Sequence, residues 1–196
     1  MDQYFWSLVV FSISMVASPG PANMILLVAG SKFGFKKSLP FVLGIILSKQ
    51  FIIWPIGFGI ITFFEYFPTM TNFIKGISII YIIWLAWKLS NFKIAANSNL
   101  IKAPSFFYGL PVHPTNPKAW AMVSVSFTSY TNVDQGQLTS TFTVAIVFII
   151  VQLVFHNLWC YFGGQLKERF QGTKFEIWLM RFLSILMLGS LFLLLL

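Results

Sequence analysis

Two short segments of this chain place prolines beside amide and basic side chains within long apolar stretches. The first reads SPGPAN at residues 18–23, and the second reads PVHPTNPK at residues 111–118. Proline lacks a backbone donor and clashes with the carbonyl four residues back, so neither segment can continue as a regular α-helix. A broken helix frees amides that suit a carboxylate and carbonyls that suit a cation or an ammonium group. The two segments therefore predict a binding site for a small charged molecule, with a simple structural kink as the alternative.

Ionisable side chains inside the apolar stretches indicate where such a site would lie. Lys49, Lys118 and His156 are the clearest cases, whereas Arg181 lies near the end of its stretch and can reach an interface. Uncharged polar side chains accompany them at Gln50, Gln152 and Asn157. An ionisable group in hydrocarbon is costly and usually faces the protein interior or a wet cavity. Because no Asp or Glu is central in any stretch, the interior is positively biased and favours an anionic group on the ligand.

The composition decides the environment in which these residues act. Of the 196 residues, 57% are hydrophobic, 18% are aromatic and only 9% are charged, and the mean hydropathy is +0.80. Soluble proteins carry about 25% charged residues, so an ordinary soluble domain is excluded and a lipid bilayer is the expected surrounding. The single cysteine, Cys160, excludes an intramolecular disulfide and a cysteine-rich metal site.

The apolar residues form six stretches long enough to cross a bilayer as helices. A hydrocarbon core of about 30 Å needs roughly 20 helical residues. We expect spans at residues 4–30, 39–64, 69–89, 104–130, 138–164 and 175–196. None alternates polar and apolar residues as the strands of an outer-membrane barrel do. The sequence therefore predicts an all-α membrane protein, with residues 1–196 forming one transmembrane domain.

The basic residues predict the orientation of these spans. Nine of the thirteen lie in the first, third and fifth connections, at Lys32, Lys36, Lys37, Lys88, Lys93, Lys102, Lys167, Arg169 and Lys174. The positive-inside rule places these connections in the cytoplasm and both termini outside. The net charge of +8 is thereby explained by topology, so we expect no nucleic-acid partner.

The two proline-rich segments also predict an internal repeat. Pro21 and Pro117 are 96 residues apart in a chain of 196. Each half, about residues 1–98 and 99–196, then holds three spans, of which the first is broken by prolines. An odd number of spans inverts the second half in the membrane, and discontinuous helices at corresponding positions of inverted repeats point to the substrate site.

Three motifs give the chain a resemblance to a known family. SPGPAN at residues 18–23, NPKAW at residues 116–120 and YIIWLAWKL at residues 81–89 look like the LysE/RhtB family of amino-acid exporters, bacterial inner-membrane proteins of about this length. The match in length and span pattern covers the whole chain. The resemblance implies a multi-pass secondary transporter that exports amino acids or close derivatives, coupled to the proton gradient, with the first and fourth spans at the translocation path.

The resemblance carries a substrate-binding role to the residues of the first two motifs: Pro19, Gly20, Pro21, Asn23, Asn116, Pro117 and Lys118. We expect Asn23, Asn116 and the freed backbone groups to bind a zwitterion. Lys118 or Lys49 would attract its carboxylate. His156 is the candidate for proton coupling because imidazole ordinarily titrates close to neutral pH. The chain departs from the usual family pattern at Ser48, Lys49, His113 and Pro114.

Two other functions fit parts of the sequence. His156 and Cys160 share a helix face at a spacing of four residues, and imidazole with thiolate suits a transition-metal ion as the exported cargo. A membrane-embedded enzyme would instead need a nucleophile or an acid and base pair, and His113 and His156 have no intramembrane carboxylate to orient them. We expect no catalytic residue, resident metal or cofactor. A homodimer is a candidate assembly, but the sequence does not determine the oligomeric state.

Overall fold

Helices account for all the regular secondary structure that can be described. The structure, a computed structural model, describes residues 3–59, 68–93, 103–131 and 136–195. Its helices are α1 (Gln3–Ala17), α2 (Pro21–Phe33), α3 (Phe35–Ser48), α4 (Gln50–Gly57), α5 (Pro68–Ser90), α6 (Phe106–Gly109), α7 (Pro117–Ser129), α8 (Gln137–Phe170) and α9 (Lys174–Leu195). No strand occurs within these ranges, which confirms the predicted all-α class for the described part of the chain.

The region of the first expected span contains two helices that meet at an angle. α1 ends at Ala17, α2 begins at Pro21, and the two helices are bent by 52°. Pro21 occupies the first position of α2, where its missing amide hydrogen would have had no helical partner. Gly20 precedes it in an extended conformation. The local sequence therefore ends one helix and starts the next.

The region of the fourth expected span has a longer non-helical part. α6 covers only Phe106–Gly109, and the chain then runs through turns until α7 begins at Pro117. Asn116 caps α7, since its side-chain Oδ1 accepts a hydrogen bond of 3.1 Å from the backbone amide of Lys118. Such a cap satisfies a backbone donor that no helical carbonyl can reach.

The other helices follow the expected spans with small differences. α5 and α9 agree with the expected bounds to within one residue. α3 and α4 cover the second span and meet at Lys49, while residues 60–64 of that span lie outside the described residues. α8 continues six residues beyond Gly164, to Phe170, because a helix need not end where its apolar stretch ends.

Helix α8 is the centre of the packing and touches α1, α2, α3 and α4. Its closest approach is to α2. A Cβ atom added to Gly30 would meet the backbone carbonyl of Cys160, and one added to Gly163 would meet the backbone carbonyl of Leu27. Small residues at such crossings let two helix backbones come together, as is common within membranes. The pair α2 and α8 thus positions Asn23 and His156 next to each other.

Polar and apolar residues are distributed as expected for a protein surrounded by lipid. Large apolar side chains such as Ile150 and Ile185 are exposed, whereas Lys49 is fully buried. By length and composition, two helical stretches of the described residues can cross a membrane, Phe35–Gly57 and Gln137–Phe170, and the bent pair α1 and α2 adds a third if it forms one span.

Candidate functional site

A small cavity lined by both polar and apolar side chains lies where the two interrupted regions meet. Its lining residues are Met15, Val16, Ser18, Gly20, Ala22, Asn23, Lys49, His113, Asn116, Lys118, Met122 and His156. The cavity measures about 20 Å³. A single water needs roughly 10–15 Å³ by the same measure, so a larger molecule can bind only if the surrounding helices move apart.

Lys118 bridges the two interrupted regions. Its Nζ donates a hydrogen bond of 2.7 Å to Oγ of Ser18 and one of 3.1 Å to the carbonyl oxygen of Pro19. These partners are about a hundred positions earlier in the sequence, and the Lys118 side chain is buried. A lysine near the end of a span can reach out to the lipid headgroups. Lys118 instead lies in the protein interior.

The carbonyls at the first interruption already accept hydrogen bonds from the chain itself. Asn23 Nδ2 donates to the carbonyls of Val16 and Ser18 at 2.7 and 2.8 Å. The remaining donors are Trp159 Nε1 to Ala17 at 3.2 Å, Lys118 Nζ to Pro19 at 3.1 Å and the amide of Met24 to Gly20 at 2.9 Å. The sequence predicted that freed carbonyls would suit an ammonium group. Each of them already accepts one hydrogen bond from the chain, since unpaired carbonyls within a membrane are costly.

Asn23, His156, Gln152 and His113 form a buried hydrogen-bond chain whose direction can be assigned. Because Nδ2 of Asn23 faces two carbonyls, its Oδ1 faces His156 and accepts from Nδ1 at 3.0 Å. In the neutral ring, Nε2 of His156 is then an acceptor. Gln152 Nε2 lies 2.9 Å from this atom and 2.7 Å from Nε2 of His113, so one amide donates to both rings.

Lys49 differs from Lys118 because its amino group has no hydrogen-bond partner among the described residues. The side chain is fully buried at the junction of α3 and α4. Its Nζ lies 4.4 Å from the centroid of the Phe148 ring, within the range of a cation–π interaction. None of the described lining residues is Asp or Glu, so a positive charge on either lysine has no negative side chain of the lining to compensate it.

The structure brings together six of the nine residues that the sequence singled out. Gly20, Asn23, Lys49, Asn116, Lys118 and His156 line the cavity. The other three, Pro19, Pro21 and Pro117, lie next to lining residues and shape the backbone. The roles of all nine residues in substrate binding remain predictions.

Sequence reasoning did not assign His113 or Gln152 to the site. His113 lies within the second proline-rich segment, and its backbone amide donates to Oγ of Ser48 at 3.3 Å. Gln152 precedes His156 by four residues on α8, so helical spacing could have indicated that the two side chains meet. No equivalent signal connected His113 to either residue.

Cys160 does not share the cavity with His156. It is buried and packs in an apolar cluster with Ala29, Phe41 and Ile45. Within the described residues, no group of three or more His, Cys, Asp or Glu side chains is arranged to hold a metal ion.

Comparison with known proteins agrees with the resemblance seen in the motifs. A model of the family described as LysE type translocator matches residues 13–196. The chain is 22% identical over 176 residues to a leucine efflux protein of Enterobacter sp. (strain 638). The aligned region covers 87% of this chain and 83% of that relative. No solved structure matches the chain. The predicted family is confirmed: the chain belongs to the LysE type translocators and is a membrane transport protein, not an enzyme.

Proposed function

We propose that this chain is a secondary transporter that exports amino acids or close derivatives across the bacterial inner membrane. The proposal depends most on the 2.7 Å bond between Lys118 Nζ and Ser18 Oγ, because this bond joins the two interrupted regions at one cavity. Membership of a translocator family and similarity to a bacterial leucine efflux protein support the same function.

The proposed topology has six spans arranged as two inverted halves with both termini outside. The matching positions of Pro21 and Pro117 in the two halves support the repeat. The basic first, third and fifth connections support the orientation. In this arrangement the interrupted regions approach the cavity from opposite sides of the membrane.

Transport would proceed by alternating access around the cavity. The bridge from Lys118 to Ser18 and Pro19 holds the two interrupted regions together. A substrate carboxylate can replace Ser18 Oγ as the partner of the Lys118 ammonium group, which loosens the bridge. The amides at the start of α7 favour an anion at the same place, because the N-terminus of a helix carries partial positive charge.

The buried histidines are our candidates for proton coupling. A proton added to Nε2 of His156 makes that atom a donor, and Nε2 of His113 lies 3.3 Å away as an acceptor. Gln152 would then turn its amide so that Oε1, which has no partner among the described residues, faces the rings. Lys49 and Lys118 line the same cavity and repel this proton, so proton uptake responds to movement of either side chain.

Efflux from proteoliposomes tests the proposed function. Vesicles containing the purified protein are loaded with radiolabelled amino acids and their derivatives, and we expect efflux of at least one, faster when the outside is acidic. Lys118→Met should weaken substrate binding about tenfold because a charged hydrogen-bond donor is lost. Lys118→Arg should restore binding in part, since a planar guanidinium does not reproduce a compact ammonium group.

The matched control for these variants is Lys88→Met. Lys88 is an exposed lysine in the last turn of α5 and should tolerate the change. Normal binding by Lys118→Met would remove this residue from the site, and a lack of efflux for every compound would overturn the proposed function.

A further inference from the structure

We propose that the cargo of this cavity keeps a carboxylate but lacks a charged amine, as an N-acylated amino acid does. The inference rests on the proposed export function and narrows its substrate class. A free amino acid needs acceptors for its ammonium group as well as donors for its carboxylate. The cavity provides the donors, but none of its described lining residues is Asp or Glu, so no carboxylate compensates the charge of an ammonium group.

The acceptors near the cavity already accept hydrogen bonds from internal donors, so each can offer an ammonium group at most its second lone pair. The backbone carbonyls from Val16 to Gly20 each accept a hydrogen bond, and Asn116 Oδ1 accepts one from the amide of Lys118. Among the described buried side-chain acceptors near the two histidines, one lacks a partner: Oε1 of Gln152, which lies behind the cavity lining and is hydrogen-bonded to the histidines through its amide nitrogen. This neutral oxygen can take one of the three ammonium hydrogens and provides no compensating charge.

Among the described donors that line the cavity, in contrast, the amino group of Lys49 lacks a partner. The Nζ of Lys49 is buried and has no hydrogen-bond partner among the described residues. Charging a buried lysine that has no anionic partner is costly, and the Phe148 ring offsets that cost only in part. A carboxylate on the cargo would supply the missing partner. Lys118 adds a second positive charge, so a cargo with net negative charge fits better than a neutral zwitterion.

Two further unpartnered atoms match an amide group. Neutral His113 accepts from Gln152 at Nε2, which leaves Nδ1 as a donor, and this atom has no partner among the described residues. Together with Lys49 Nζ and Gln152 Oε1, it makes up three of the four buried polar side-chain atoms that lack a hydrogen-bond partner among the described residues. An N-acyl amino acid carries the complementary set: a carboxylate, a carbonyl oxygen and an amide N–H.

Apolar residues complete the lining. Met15, Val16 and Met122 border the same cavity as Lys49. Methionine side chains are flexible and adapt to irregular apolar shapes. They suit an aliphatic side chain or acyl group once the cavity opens.

A comparison of three compounds with the same side chain tests the inference. Proteoliposomes containing the full chain are loaded with N-acetyl-L-leucine, L-leucine or 4-methyl-2-oxopentanoate. N-acetyl-L-leucine should leave about tenfold faster than L-leucine, because a desolvated ammonium group finds no anionic partner. The 2-oxo acid also lacks an amine. If it leaves faster than N-acetyl-L-leucine, the result supports a cargo without an amine and assigns that cargo to the 2-oxo acids.

Variants of Lys49 test the role of its charge. Lys49→Met should reduce efflux of N-acetyl-L-leucine about tenfold, and Lys49→Arg should retain part of it. Lys88→Met is the matched control, because Lys88 also lies over an aromatic ring, that of Trp84 at 4.7 Å, but is exposed. Binding of N-acetyl-L-leucine to monodisperse protein separates a lost site from a folding defect.

The outcomes separate this inference from the function on which it rests. Efflux of L-leucine as fast as that of N-acetyl-L-leucine overturns the inference and leaves amino-acid export standing. Unchanged transport in Lys49→Met likewise overturns it, because the cation would not contact the cargo. Efflux of no amino acid and no derivative overturns both.

Discussion

The Nδ1 atom of His156 lies 3.0 Å from Oδ1 of Asn23, a residue 133 positions earlier in the chain. The amide of Asn23 is in turn held by the carbonyls of Val16 and Ser18. This contact links a titratable ring on α8 to the backbone between α1 and α2. A movement of the interrupted region would therefore change the hydrogen bonding of His156.

Asn23→Ala should reduce both stability and transport. The change leaves two buried carbonyls and His156 Nδ1 without their partner, so we expect a loss of about 1–3 kcal/mol in unfolding free energy. Thermal unfolding in detergent and efflux from vesicles measure the two effects. Asn91→Ala is the control, because exposed Asn91 makes one local bond to a backbone carbonyl, 2.9 Å from Trp87 O. Equal stability of the two variants would contradict the assigned role of Asn23.

Replacing Pro19 and Pro21 together with alanine should impair transport while the protein still folds. Alanine is the best helix former and restores the missing donors, so α1 and α2 can join into one helix. We expect efflux to fall about tenfold or more, since loss of the first interruption removes the Lys118 acceptors at residues 18 and 19. Pro40→Ala is the control because Pro40 lies inside α3 and is exposed. Full transport by the double variant would mean that the prolines produce only a kink.

Gly163→Ala should destabilise the protein far more than Gly164→Ala. A Cβ atom at Gly163 would collide with the backbone of Leu27, which cannot move aside as a flexible side chain could. At Gly164 the nearest atom, the carbonyl oxygen of Gly30, is 3.7 Å away, an ordinary contact. Overpacking of this kind costs about 1–3 kcal/mol, and thermal unfolding of the two variants measures the difference. Similar melting temperatures would show that α2 and α8 are not in close contact.

Labelling with an impermeant thiol reagent tests the proposed topology. Cysteines introduced at Asn91 and Gln171 should be protected in intact cells because they follow the third and fifth spans, on the side of the basic connections. A cysteine at Thr139 should react. All three positions are exposed, and the native Cys160 is buried and gives little background. Labelling at Asn91 and Gln171 but not at Thr139 would reverse the proposed orientation. Opposite results for Asn91 and Gln171 would contradict the six-span arrangement and the inverted repeat with it.

Local sequence was sufficient to predict where the helices are interrupted. Pro21 and Pro117 occupy the first positions of α2 and α7, and Asn116 caps α7 as its residue type favours. These features depend on the backbone chemistry of neighbouring residues. The buried position of Lys49 was also predictable, because a lysine in the middle of an apolar stretch has no water within reach.

The partners of the buried groups were decided only by the tertiary structure. The sequence determined an all-α membrane protein with a positively biased interior, but it did not connect His113 to Gln152 or show that Asn23 occupies the carbonyls freed at the first interruption. The reason is that helices such as α8 are apolar on the faces toward both lipid and protein, so hydrophobic periodicity does not reveal which face packs inward. The rotation and crossing of α2 and α8, set by close contacts at Gly30 and Gly163, fixed which polar atoms meet and which remain available to a substrate.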